Sequence, residues 1–200
     1  MVLVSLPAPN FIAPAILKND EIIENFNFQN YVSGKITVLF FWPMDFTFVC
    51  PSEIIAFNNL YDSFKKRKVE LIGVSIDSVF VHNAWRKTPV NEGGIGNIKF
   101  IMVSDVKQEI QKSYGIVHPT LGVALRASFL IDKKFCVRHQ VVNDLPLGRN
   151  VKEMIRTIDA LQFHEINGEV CPANWKKGKS AMTPSPDGVR NYFQNHLEDL

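Results

Sequence analysis

Residues 40–53 read FFWPMDFTFVCPSE: an apolar, aromatic run, a loop opened by Pro43, then Cys50 directly before Pro51. Working back, ITVLFFW (36–42) has the length and β-branching of a buried strand. Working forward, proline is favoured in the first turn of a helix, which predicts a helix from Pro51 to Lys66 with Cys50 at its cap. Ile54, Phe57, Leu60, Tyr61 and Phe64 recur at helical spacing along it. A sulfur at that junction faces unpaired backbone donors and the positive end of a helix dipole, which favour its anionic form. Cys50 is therefore read as a reactive thiolate at neutral pH, with the Thr47 hydroxyl close in sequence, rather than as an inert core cysteine.

The rest of the chain alternates in the same way. VELIGVSID (69–77) and KFIMVSD (99–105) predict two further strands, each followed by a helix, over 78–87 and 106–114; Gly115 stops the second. ASFLID (127–132) and FCVRHQVV (135–142) flank Lys133 and Lys134 as a hairpin. Val151, Met154, Ile155, Ile158 and Leu161 line a last core helix, with Asn150 and Glu153 spaced as a capping pair. Beyond residue 165 glycine, proline and lysine dominate and predict an extended arm with a short helix in GVRNYFQNHL. Strand, loop, cysteine, helix, then more strand and helix pairs is the order of a thioredoxin-like α/β fold. The expected division is a domain over 1–165 and a C-terminal arm over 166–200. In such sheets functional groups sit at the C-terminal ends of strands, where Cys50 falls.

Composition excludes other classes. With 200 residues and 46% hydrophobic content the chain builds a sizeable core. Basic residues number 22 against 20 acidic, net +2, too balanced to hold a nucleic acid or an anionic membrane surface. The one dense basic run, KKRK at 65–68, closes a helix at its negative end. The first 17 residues are apolar but lack a basic residue and are broken by Pro7, Pro9 and Pro14; they predict neither signal peptide nor membrane span. A cytoplasmic protein is the expectation. Cys50, Cys136 and Cys171 are too few for a disulfide framework. Isolated histidines and the lack of a CxxC pair argue against zinc, and neither metal nor cofactor is expected. EGGIGN (92–97) fits no phosphate-loop spacing. Glu53 stands where a CxxC reductase would carry its second cysteine, which argues against dithiol exchange at Cys50.

PMDFTFVCPSE (43–53), RASFLID (126–132), VNDLPLGRNVKE (142–153) and VCPANW (170–175) together resemble the motifs of the peroxiredoxins. They are most similar to the typical two-cysteine group that includes alkyl hydroperoxide reductase. The likeness runs in family order over nearly the whole chain, and four separated matches are far more specific than one.

The resemblance implies a thiol-dependent peroxidase for hydrogen peroxide and organic hydroperoxides. Cys50 is the attacking residue, Thr47 and Arg126 hold thiolate and peroxide, and Pro43 screens the site from water. Glu53 and Arg149 orient Arg126, although a basic residue at a helix start also fits a solvated role for Arg149. The Cys50 sulfenic acid then condenses with Cys171, carried by the partner in a homodimer. A decamer of dimers, and thioredoxin or a flavoprotein disulfide reductase as electron donor, follow from the same likeness; a chaperone-like ring is the alternative. Gly93–Gly96 and Tyr192–Phe193 resemble paired signatures of members that overoxidise. Trp42, Met44, Leu125 and Ala127 depart from the usual pattern around the pocket. Cys136 matches nothing in the family and is read as a packing residue.

Overall fold

The computed structural model describes residues 1–199, so Leu200, the last residue of the expected arm, lies outside the described residues. Two compact units divide the chain, Met1–Val151 and Lys152–Leu200.

The first unit opens with strands β1 (Ile12–Ile16) and β2 (Ile22–Asn27), a short helix α1 (Phe28–Val32) and strand β3 (Ile36–Phe41). Helices α2 (Cys50–Asn59) and α3 (Tyr61–Lys66) lead to β4 (Val69–Ser75), α4 (Val79–Lys87), β5 (Ile101–Ser104) and α5 (Glu109–Ser113). β6 (Arg126–Ile131) and β7 (Val137–Asn143) complete a seven-stranded sheet ordered β2-β1-β5-β4-β3-β6-β7. β3, β4 and β5 run parallel, whereas β6 pairs antiparallel with β3 and β1 antiparallel with β5. The mixed sheet with helices is the expected thioredoxin-like α/β architecture.

β3 is central and every residue in it is buried, as a strand covered on both faces requires. On one face Phe40 stacks on Phe57 of α2 at 4.1 Å. On the other Phe41 meets Tyr114 and Phe129 at 5.3 and 5.9 Å. Burying each such side chain contributes roughly 1.5–3 kcal/mol, so β3 fixes where its C-terminal end, and the loop to Cys50, emerge. Gly73 of β4 allows this packing, because a Cβ there would lie 2.6 Å from the Trp42 ring.

Three local expectations are corrected. The helix over 51–66 is two helices, since Leu60 leaves helical geometry (φ −95°, ψ 6°) and Asn58 turns its amide to Asn97 O and Lys99 N at 3.0 and 2.9 Å. The helix over 106–114 shrinks to α5, because Gln108 adopts left-handed backbone (φ 58°). Phe135 and Cys136 belong to the hairpin turn rather than to β7: Asp132 Oδ1 accepts from Lys134 N and Cys136 N at 2.9 and 3.0 Å, with Phe135 left-handed (φ 64°). The proline-broken first 17 residues, for which the sequence predicts no element, contain β1, which pairs with β2. Pro14 sits where the register shifts between Ala13 and Ala15, a bulge that asks no donor of it.

The second unit contains most of α6 (Val151–Asn167) and all of α7 (Pro186–His196). Ser185 caps α7, its hydroxyl accepting from Gly188 N at 3.0 Å. The intervening loop is pinned by a bridge between Val170 and Met182. Among the described residues no helix is long and apolar enough to cross a membrane.

Candidate active site

Cys50 is the first residue of α2 rather than its cap. Val49 already has helical backbone (φ −86°, ψ −33°), and its carbonyl accepts from Ser52 N and Glu53 N at 3.1 and 3.3 Å, which closes the first turn one residue early. The Cys50 side chain is fully buried. Thr47 Oγ1 lies 2.8 Å from its sulfur, and Arg126 Nη1 donates to it at 3.2 Å.

The sheet explains why a residue 76 positions away arrives there. β6 pairs with β3 through Phe40↔Ser128, so Arg126, two residues earlier, lies just past the end of β3 where the loop to Cys50 departs. Its guanidinium is fixed on two sides, donating from Nε to Leu145 O at 2.6 Å and from Nη1 to Glu53 Oε2 at 2.9 Å. Glu53 stands one helical turn after Cys50, on the same face of α2.

Arg149 supplies the rest of the cluster. It donates to Glu53 from its backbone N and Nε, both at 2.8 Å to Oε1, and from Nη2 at 2.9 Å to Oε2. Nη1 reaches Ala127 O and Ser128 Oγ, and the guanidinium lies over the Phe40 and Phe57 rings. The side chain is buried, so the solvated reading of Arg149 is not what is observed. Burial alone would raise the Glu53 carboxyl; the hydrogen bonds and charge of Arg149, with Arg126 behind, outweigh it and hold the group below the ordinary range. Two guanidiniums around one carboxylate leave one net positive charge beside the Cys50 sulfur. Pro43 is buried at the start of the same loop.

Of the residues expected at the site, Pro43, Thr47, Cys50, Glu53, Arg126 and Arg149 all lie in the first unit, and five of them meet in one hydrogen-bonded cluster. Cys171 belongs to the second unit, where its thiol lies 3.6 Å from Ala160 O. Arg156 of α6 holds that loop by donating to Trp175 O at 3.0 Å. Burial pushes the Cys171 thiol up, with Glu169 adding and Arg156 opposing. Sequence reasoning missed the Leu145 carbonyl that tethers Arg126, because any residue carries a carbonyl and no side-chain type announces it. It also missed the partners of Asp45 described below.

A buried sulfur on a thioredoxin-like scaffold, held between a hydroxyl and a guanidinium, defines a thiol-dependent peroxidase. The family comparisons carry the assignment further: residues 4–140 match the AhpC/TSA family and residues 160–195 the C-terminal domain of 1-Cys peroxiredoxin. The chain belongs to the AhpC/TSA family of peroxiredoxins. It is 65% identical over 196 residues to alkyl hydroperoxide reductase C of Buchnera aphidicola subsp. Acyrthosiphon pisum (strain APS), covering 98% of this chain and 100% of that one. Helicobacter pylori alkyl hydroperoxide reductase C (strain ATCC 700392 / 26695) is 49% identical, with 97% and 98% covered. The reduced Plasmodium vivax 2-Cys peroxiredoxin superposes with a TM-score of 0.93 at 47% identity, over 97% of this chain and 100% of that one. These relatives favour the peroxidase reading over a chaperone-like ring.

Proposed function

We propose that Cys50 is the peroxide-reacting residue, that Arg126 and Thr47 position the peroxide, and that Cys171 resolves the oxidised sulfur. The Cys50 thiolate attacks one peroxide oxygen, the O–O bond breaks, and the other oxygen leaves as water or alcohol after taking a proton. Cys50 becomes a sulfenic acid. Charge grows on both oxygens in the transition state, and Arg126, already fixed by Glu53 and Leu145, needs no reorganisation to receive it. Pro43 screens the reaction from water. Arg149 acts through Glu53, holding the carboxylate that holds Arg126.

The Cys171 thiol of a second subunit then attacks the sulfenic sulfur, releasing water and leaving an intersubunit disulfide. A dithiol donor, thioredoxin or the thiol centre of a flavoprotein disulfide reductase, returns both sulfurs to thiols by exchange. Hydrogen peroxide and organic hydroperoxides are the substrates, the working unit is a homodimer that assembles into decamers, and the compartment is the cytoplasm.

The observation that carries this reading is the pair of groups on Cys50 Sγ, Thr47 Oγ1 at 2.8 Å and Arg126 Nη1 at 3.2 Å. The test is peroxide consumption with a dithiol reductant, followed by non-reducing electrophoresis. Wild type consumes peroxide and forms a covalent dimer, Cys50→Ser does neither, and Cys171→Ser reacts once without forming the dimer. A covalent dimer that survives in Cys171→Ser would refute the assigned resolving residue.

A further inference from the structure

Two residues before Thr47, Asp45 is buried in a network that the chemistry above does not use. Its carboxylate accepts from Trp42 Nε1 at 2.8 Å through Oδ1. Oδ2 is 2.7 Å from His82 Nδ1, and both side chains are fully buried. Ser75 Oγ lies 3.4 Å from Oδ1. On the backbone side, Asp45 N donates to Asp77 Oδ2 at 2.8 Å, and that same oxygen accepts from Ser75 Oγ at 2.7 Å. His82 is braced from behind, its Nε2 lying 3.2 Å from Val103 O. One loop residue is thus gripped by Trp42 just past β3, by β4, by α4 and by the turn after β4.

The grip bears on the reacting sulfur through one peptide plane. Asp45 N belongs to the peptide whose carbonyl is Met44 O, and in a planar trans peptide the N–H and C=O point in opposite directions. With the N–H tied to Asp77, the carbonyl is turned to the other side, where Met44 O accepts from Thr47 Oγ1 at 2.9 Å. The Thr47 hydroxyl has one hydrogen and two acceptors in reach, Met44 O and Cys50 Sγ at 2.8 Å. When the hydrogen goes to Met44 O, the hydroxyl's lone pairs face the sulfur and take the O–H of an incoming peroxide. When it goes to the sulfur, it weakens the nucleophile. The residue after Asp45, Phe46, holds left-handed backbone (φ 54°), a strained conformation for a bulky side chain that persists only where its surroundings over-determine it.

We propose that Asp77 and His82 are positioning residues for peroxide reduction, fixing the Met44–Asp45 peptide from its amide and side-chain ends and so setting the direction of the Thr47 hydroxyl. This rests on the role given to Thr47 above.

A double-mutant cycle on the full chain tests it, reading the second-order rate of Cys50 oxidation by hydrogen peroxide in stopped flow. Asp77→Ala removes the acceptor and slows the wild-type reaction by about tenfold or more, whereas in a Thr47→Val background it costs less than about twofold. Asp77→Asn keeps an oxygen for the Asp45 amide and stays within about threefold of wild type. Should Asp77→Ala lose its cooperative thermal transition, His82→Asn goes through the same cycle with the same expectation. Equal losses in both backgrounds, or no loss in the wild-type background, overturn the proposal. If Thr47→Val itself leaves the rate unchanged, the role of Thr47 fails first, so the two failures are distinguishable.

Discussion

Glu53→Gln removes the one carboxylate that two buried guanidiniums share. Glu53 accepts four hydrogen bonds, one from Arg126 and three from Arg149, with its side chain only 2% exposed. Glutamine keeps the volume but offers one oxygen, turns an amide donor toward guanidinium donors, and leaves both cations without their counter-charge. Removing one member of a buried, hydrogen-bonded pair costs about 3–5 kcal/mol, a large share of the roughly 5–15 kcal/mol that holds a domain folded. The pH dependence has a definite sign. Because the folded-state carboxyl is held below its ordinary value, its contribution is present in full above the unfolded value of about 4.3 and is lost as pH falls through the folded value. Urea denaturation at neutral pH and at several acid pH values measures both effects. The variant is less stable at neutrality and has a shallower acid loss than wild type. A destabilisation below about 1 kcal/mol with an unchanged acid slope would refute the reasoning.

Three further outcomes rest on Arg126, on Cys171 and on the sequence resemblance in turn. Arg126→Lys keeps a charge but loses the fork that reaches Leu145, Glu53 and sulfur together, so stopped-flow oxidation of Cys50 slows by about a hundredfold; a change under about threefold would show that the fork is dispensable. Because the Cys171 thiol is pushed up by burial, its reactive thiolate is scarce at neutrality. Disulfide formation after a single peroxide pulse therefore accelerates toward about tenfold per pH unit on the alkaline side, until that thiol is ionised, and a flat profile would contradict this. Turnover in excess peroxide with reductant drives Cys50 to sulfinic acid, as the Gly93–Gly96 and Tyr192–Phe193 signatures imply; mass spectrometry finding only disulfide would count against it.

The central strands and the helix at Cys50 were legible because burial on both faces leaves a continuous apolar run and Pro51 marks a first turn. The β1–β2 hairpin was not, since Pro14 hides the alternation that its bulge tolerates. The break at Leu60 depends on where Asn58 finds partners forty residues on, and the turn at 132–136 on which amides Asp132 captures, neither of which spacing encodes. Glu53, Arg126 and Arg149 lie far apart in the chain, and only the resemblance joined them; the pairing of β3 with β6 accounts for the arrival of Arg126, and the hydrogen bonds of Arg149 to Glu53 for the third member. Asp45 lay inside the quoted motif, yet its partners Asp77 and His82 come from other elements and carry no signature of their own.

The claim on which the mechanism depends is that peroxide meets the sulfur of Cys50 and no other. The direct measurement is peptide mapping of Cys171→Ser after one equivalent of peroxide in the presence of a dione that traps sulfenic acids. The adduct belongs on the Cys50 peptide; finding it on the Cys136 peptide, or on neither, would contradict the mechanism.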